Sequence, residues 1–334
     1  MTNFGDCVVC GVSTHLFKYG KYLCNSCDLF FRRSMTPWSF FGDCKHNWDC
    51  YKESSNRQRL PKCRHCRFNK CVDVGLLTVS RYTKLADLVE YLSLLDANRE
   101  KTFLKLSIST DFDTNTFLDE NPIRFIKKTS DLNFDCDEWQ IMNKLSTIEM
   151  LKNLDFPKYL SSQDLRYFLK KGYFLKGILT MAMRSYLNQE EFMSFPNGVD
   201  LFPDHAREGL HINISFLNLI RCQLVGKFIE LKITREEISM LGAIAVSNPA
   251  VPDLSSNGQK LLSCYQQLYT SSLLQYCLAK YQQNGPARFC NIMSVLNVAN
   301  QTYDNIIKYV CLCQYYHSDM QPSKLYQSVL NQLN

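Results

Sequence analysis

The sequence lacks the marks of an exported or membrane-spanning chain. Met1 to Gly5 shows no basic segment leading into an apolar one, and no stretch reaches the roughly 18 uninterrupted apolar residues that a spanning helix needs. A soluble chain without a secretion signal is expected, with no membrane partner. There is neither a Gly-rich loop to cradle phosphates nor an HExxH helix, which removes two common enzyme readings. After Trp139 prolines are few and no stretch keeps the apolar and polar alternation of a half-buried strand, so that part reads as α. With 46% hydrophobic and 21% charged residues, disordered and collagen-like chains are excluded too.

What is present is unevenly spread. At 334 residues the chain is about twice the usual domain size of roughly 150, so two domains are expected. Nine of its 16 cysteines lie before residue 72. Residues 1–84 hold 14 Lys and Arg against 6 Asp and Glu, leaving 24 against 26 for the rest of the chain. A small, basic, cysteine-rich module thus precedes a larger, near-neutral, apolar one. That division points to nucleic acid for the first and to small molecules or proteins for the second.

The cysteines fall into two sets of four. Cys7, Cys10, Cys24 and Cys27 form two Cys-x-x-Cys pairs separated by thirteen residues, and Cys44, Cys50, Cys63 and Cys66 follow. In a reducing compartment such spacing reads as zinc thiolate and not disulfide. Four thiolates close a tetrahedron and leave no position for a reacting water, so two structural zinc ions are expected as cofactors. A module this short has little core of its own, and metal binding would supply much of its folding free energy. Cys71 reads as a core thiol outside the second set, and His15, His46 and His65 as surface residues.

Two helices follow from the local pattern. Cys24 to Met35 carries no Pro or Gly and leads to Thr36-Pro37, a stop. Its spacing turns Cys27, Phe30, Phe31 and Ser34 inward and Asn25, Asp28, Leu29 and Arg32 outward, with Arg33 beside them. Such a helix suits a major groove, where polar side chains meet base edges and arginines meet guanine or phosphate. The second helix spans Cys63 to Val74 and stops at Gly75; Arg64, Arg67 and Lys70 form a basic ridge on it, and Phe68 can reach the rings of the first.

These motifs, C-x2-C-x13-C-x2-C, CxxCxxFFRRS at 24–34 and CRxCRFxKCxxxGL at 63–76, resemble the DNA-binding domain of nuclear hormone receptors. The divergent pattern is similar to that of the expanded nematode receptors. The resemblance implies that Asn25, Ser26, Asp28 and Leu29 choose the half-site, and that Lys45 to Asp49 make dimer contacts. The sequence also departs from that family. Asn25, Ser26 and Asp28 replace its usual Glu, Gly and Lys, so a common hexamer is not implied, and twelve residues separate Cys50 from Cys63 where nine is common.

Residues 83–105 read as a hinge, with Leu85, Leu88, Val89, Leu92 and Leu95 as a helical apolar stripe. Beyond it helices are expected at 137–154, 161–186, 206–227, 235–247, 255–284, 287–304 and 309–316, with a turn at 194–198. Residues 148–170 resemble the ligand-binding-domain signature of the same family, and Arg288 resembles the start of its penultimate long helix. Leu325, Tyr326, Val329 and Leu330 match the apolar positions of its terminal activation helix. With Ser328 where the family has Glu, Lys152 would be half of a charge clamp for a partner helix.

The expected architecture is a small double-zinc module at 4–82, a hinge at 83–105 and an all-α ligand-binding-type domain at 106–334. The expected function is that of a nuclear, sequence-specific, non-enzymatic transcription factor acting on RNA polymerase II genes. Its implied partners are double-stranded DNA, coregulator proteins, a small lipophilic ligand, and a second receptor in a homo- or heterodimer. A zinc adaptor that has lost DNA recognition is the main rival, motivated by Asp28 and by the unusual cysteine spacing. A single-strand or RNA binder is disfavoured because Phe30 and Phe31 fall on the inward face and offer no stacking platform. A metal-dependent enzyme is disfavoured by the two closed four-cysteine sets.

Overall fold

The computed structural model describes residues 4–34, 44–46, 50, 63–76, 85–108, 123–128, 134–202 and 213–316. The first module opens with two antiparallel pairs, β1 (Gly5–Asp6) with β2 (Ser13–Thr14) and β3 (Phe17–Lys18) with β4 (Lys21–Tyr22). Between β3 and β4 the two loop residues, Tyr19 and Gly20, both take positive φ, 54° and 71°. Such a turn has the twist of the flanking strands, which is why the hairpin can be so short. Helix α1 (Asn25–Ser34) carries the last cysteine of the first set, Cys27, and α2 (Arg64–Asp73) the last of the second, Cys66. The Cys63 thiol caps α2 by accepting from the Cys66 backbone N–H at 3.4 Å, so one sulfur serves both metal and helix. Gly75, at φ 77°, breaks the chain after α2 where the sequence called for a stop.

The segment read as a hinge is helix α3 (Leu85–Lys105), which packs on α4 (Cys136–Lys152) and α7 (Arg235–Val246). Leu88 and Leu92 of its apolar stripe are fully buried there, and burial of that stripe makes the segment part of the bundle. A short pair, β5 (Leu106–Ser107) with β6 (Ile126–Lys127), follows α3. The bundle is completed by α5 (Ser162–Leu187), α6 (Ile214–Leu231), α8 (Ser256–Tyr281) and α9 (Gly285–Tyr316). Helix α5 is central and touches α4, α6, α7 and α9.

The helix starts have evident causes. Asp135 with Glu138 and Thr234 with Glu237 form capping boxes at α4 and α7. Ser161 accepts from the Asp164 N–H at 3.0 Å at α5, and Ser255 accepts from the Gly258 N–H at 3.1 Å at α8. The Asp164 carboxylate joins the two starts, accepting from the Ser255 N–H and hydroxyl, both at 2.7 Å. Gly258 is needed for this approach: a Cβ there would stand 2.9 Å from the Asp164 carboxyl carbon.

Two sequence expectations change in the bundle. The helices expected at 287–304 and 309–316 are one continuous α9, because no breaker interrupts Asn305 to Lys308. The segment 206–227 is helical from Ile214 to Leu231, its first residues lying outside the described ones. The turn at 194–198 carries a bridge between Ser194 and Asp200.

The two modules share a core. Phe31 of α1 stacks with Phe68 of α2 at 6.5 Å between centroids, and Phe68 stacks in turn on Tyr159, which precedes α5, at 4.0 Å. The Tyr159 hydroxyl donates to the Ser34 carbonyl at the end of α1, and Lys260 of α8 pairs with Asp73 of α2 at 3.0 Å.

Candidate metal centres and nucleic-acid interface

The eight predicted ligands assemble into the two expected sets. In each of Cys7, Cys10, Cys24, Cys27 and Cys44, Cys50, Cys63, Cys66 the four sulfurs lie within 4.8 Å of one another. Cys10 and Cys24 are 3.7 Å apart, Cys44 and Cys50 3.6 Å, and Cys44 and Cys66 3.5 Å. Sulfurs about 2.3 Å from a tetrahedral zinc would stand about 3.8 Å from one another, so both sets fit that ion. The long interval after Cys50 does not disturb the second set.

Cys71 is buried outside both sets, and burial pushes its thiol up to about 12. His15 and His46 are exposed, whereas His65 is buried on α2, contrary to its surface reading. Its neighbour Cys66 is a ligand, which turns that side of the helix inward.

Helix α1 lies directly on the first set, since Cys24 precedes it and Cys27 is in its first turn. Cys27, Phe31 and Ser34 are buried as the spacing required, and Phe30 is half-buried. Asn25, Ser26, Leu29, Arg32 and Arg33 are exposed, leaving a continuous outward face.

Asp28 departs from that face. It is only 2% exposed and sits in a pocket of donors: Lys18 Nζ at 2.6 Å, Tyr19 Oη at 3.0 Å and the Arg32 guanidinium at 3.1 Å. Burial alone would raise its carboxyl, but Lys18, Tyr19 and Arg32 together hold it below the usual carboxylate range. Asp28 is thus an internal anchor between the β3–β4 hairpin and α1, and its oxygens are taken before any base could approach. Sequence reasoning missed Lys18 and Tyr19 altogether. The available signal was an acid on a helix face otherwise suited to DNA, which calls for a nearby cation.

Arg64 of α2 is exposed and Lys70 half-exposed, in keeping with a basic ridge. Arg67 differs from them. Its guanidinium donates to Ser26 Oγ at 3.3 Å and to Cys27 Sγ at 3.2 Å, and lies over the Phe30 ring at 4.5 Å. It braces α2 against α1 and supports a metal-ligating sulfur, the outer-shell arrangement that orients ligands and tunes a site.

In the helical domain Lys152 is half-buried in the last turn of α4. Leu325, Tyr326, Ser328, Val329 and Leu330 lie outside the described residues, as do residues 47–49 of the Lys45 to Asp49 loop. A cavity of about 60 Å³ opens between α4, α5 and α9, walled by Gln140, Lys144, Tyr173, Phe174 and Tyr309 among others. Lys144 lies 5.3 Å over the Tyr173 ring, and burial pushes its ammonium down to about 8. Arg288, in the first turn of α9, is held by the buried Glu237 carboxylate and by the Leu231 carbonyl at 2.6 Å. Among the described residues no helix is long and apolar enough to cross a membrane.

Known proteins share both halves of this arrangement. Residues 5–78 match the double treble clef zinc finger of C4 type, and residues 133–316 match the ligand-binding domain of nuclear hormone receptor. Nuclear hormone receptor family member nhr-27 of Caenorhabditis elegans is 43% identical over 333 residues, covering 100% of this chain and 94% of that protein. Family member nhr-167 of the same organism is 33% identical, covering 96% of this chain and 95% of its own, and nhr-9 is 32% identical, covering 90% and 88%. With its two four-cysteine centres followed by a helical bundle, the chain belongs to the nuclear hormone receptor family.

Proposed function

We propose that this receptor docks α1 in the major groove of duplex DNA and regulates transcription from there, in the nucleus and without catalysis. The observation that carries this reading is the exposed face of Asn25, Ser26, Leu29, Arg32 and Arg33 on a helix held by the first zinc set. Asn25, Ser26 and Leu29 are the base-facing residues. Arg32, Arg33, Arg64 and Lys70 supply phosphate contacts, which position the protein without reading sequence. Arg67 acts through its brace on Ser26 and Cys27, and Asp28 through the residues it holds.

The two zinc ions would be held by the eight named cysteines and supply folding free energy, each with a closed ligand set. The DNA-binding unit is read as ending near residue 82, with α3 counted as the first helix of the regulatory domain. That domain would take a lipophilic ligand between α4, α5 and α9. At about 60 Å³ the cavity is well below the roughly 300–1,000 Å³ of ligand pockets, so walls such as Phe174 and Tyr309 would have to yield to such a ligand. Lys152, with Leu325, Tyr326, Val329 and Leu330, is read as the coregulator groove, and a second receptor as a dimer partner.

Selection from random duplexes with the zinc-loaded full chain tests the central claim. An enriched motif whose affinity falls steeply with salt supports groove docking. Binding without any enriched motif overturns sequence reading and leaves a zinc adaptor. For the groove, Lys152→Ala should lower reporter activation while DNA affinity stays unchanged.

A further inference from the structure

The carboxylate at Asp28 raises a question that the hairpin before α1 answers. A buried acid in a groove lined by phosphates is repulsive unless cations accompany it. Lys18 Nζ lies 2.6 Å from Asp28 Oδ2 and 3.3 Å from Asn25 Oδ1. An ammonium has three N–H donors, and Asp28 and Asn25 accept two of them. The ammonium therefore stands beside the first residue of the outward face of α1, and the Lys18 side chain remains 32% exposed. With Asn25 Oδ1 turned toward Lys18, the Asn25 amide N–H groups are left for other acceptors. The local surface then presents donors, and the base edge richest in major-groove acceptors is that of guanine, with N7 and O6.

We propose that Lys18, delivered by the β3–β4 hairpin, is a base-reading residue that selects a guanine, by donating its remaining N–H to N7, next to the position read by Asn25. Asp28 is its positioning residue: with Tyr19 it fixes the hairpin against α1 and orients the ammonium. The tight Tyr19-Gly20 turn, with both residues at positive φ, brings Lys18 and Tyr19 over the same carboxylate. The inference rests on the groove docking of α1 proposed above.

The test compares the zinc-loaded full chain with Lys18→Met and Lys18→Arg by random-duplex selection, each first shown to hold two zinc ions. The native chain and Lys18→Arg should enrich a motif with an invariant guanine. Lys18→Met should lose preference at that one position and bind the native motif roughly tenfold more weakly. A second measurement needs no folded variant: 7-deazaguanine at that position should weaken the native chain by the same roughly tenfold. Where Lys18→Met folds, the modified base should weaken it no further.

Equal losses for Lys18→Met on selected and scrambled duplexes, with an unchanged motif, would overturn the proposal and make Lys18 a phosphate contact. Indifference of the native chain to the modified base would overturn it as well. In both results the motif itself survives, so groove docking stands; absence of any native motif removes both.

Discussion

The ring of Tyr159 lies on the ring of Phe68, their centroids 4.0 Å apart and their planes inclined by 22°, and this contact joins the zinc module to the helical domain. Both residues are buried, and the Tyr159 hydroxyl continues to the Ser34 carbonyl at the end of α1. Helices α1 and α2 therefore rest on the helical domain.

Tyr159→Ala should cost about 3 kcal/mol, as removal of a buried aromatic does, and uncouple the modules. Calorimetry should show a single transition for the native protein and two for the variant. Tyr159→Phe, which loses the bond to Ser34 and keeps the ring, should cost about 1 kcal/mol and keep one transition. Identical profiles for all three would show that the contact transmits nothing.

Metal removal should act selectively. Chelation at neutral pH should release two zinc ions per chain and unfold α1 and α2, since the sulfurs lose the ion that offsets their crowding. The helical bundle, whose core is aliphatic and aromatic, should keep most of its circular dichroism. An Arg67→Met variant should release the first zinc faster, because Cys27 loses its guanidinium donor. Retention of the α1 and α2 amide protection after chelation would contradict this account.

The pair formed by Glu237 and Arg288 predicts an acid limb. Burial would raise the Glu237 carboxyl, but Arg288, the Thr234 N–H and Tyr281 hold it below the usual carboxylate range. A carboxyl whose folded pKa is depressed stabilises the protein above its unfolded pKa of about 4.3, and that contribution fades as pH falls through the folded value. Urea midpoints should therefore drop below about pH 4, and Glu237→Gln should flatten that drop. At neutral pH Arg288→Met should cost about 3–5 kcal/mol by leaving a buried charge without its partner.

Asp164 offers a test of the paired helix starts. Its carboxylate accepts from Ser161 Oγ at 2.9 Å and from the Ser255 N–H and hydroxyl, so Asp164→Ala frays α5 and α8 together. A loss of about 2 kcal/mol is expected, with faster hydrogen exchange in the first turns of both helices. Exchange that rises in α5 alone would show that Ser255 caps α8 unaided.

Cysteine spacing and helical period carried most of the architecture and the family resemblance. Both are local: four sulfurs at the right intervals can surround one ion, and apolar residues every three or four positions must share a face. The same period placed Cys27, Phe31 and Ser34 inward and Asn25, Leu29 and Arg32 outward, as the structure has them. Asp28 and Arg67 were beyond its reach. A helical wheel assigns a side, but it does not contain Lys18 and Tyr19 arriving from a hairpin, or the thiol of Cys27 across from α2. The packing of 85–105 was out of reach for a related reason, since a lone apolar stripe has no partner until α4 and α7 pack on it. Contacts between residues far apart in the chain decide which charges are spent inside the protein and which remain for DNA, and only the folded molecule brings those residues together.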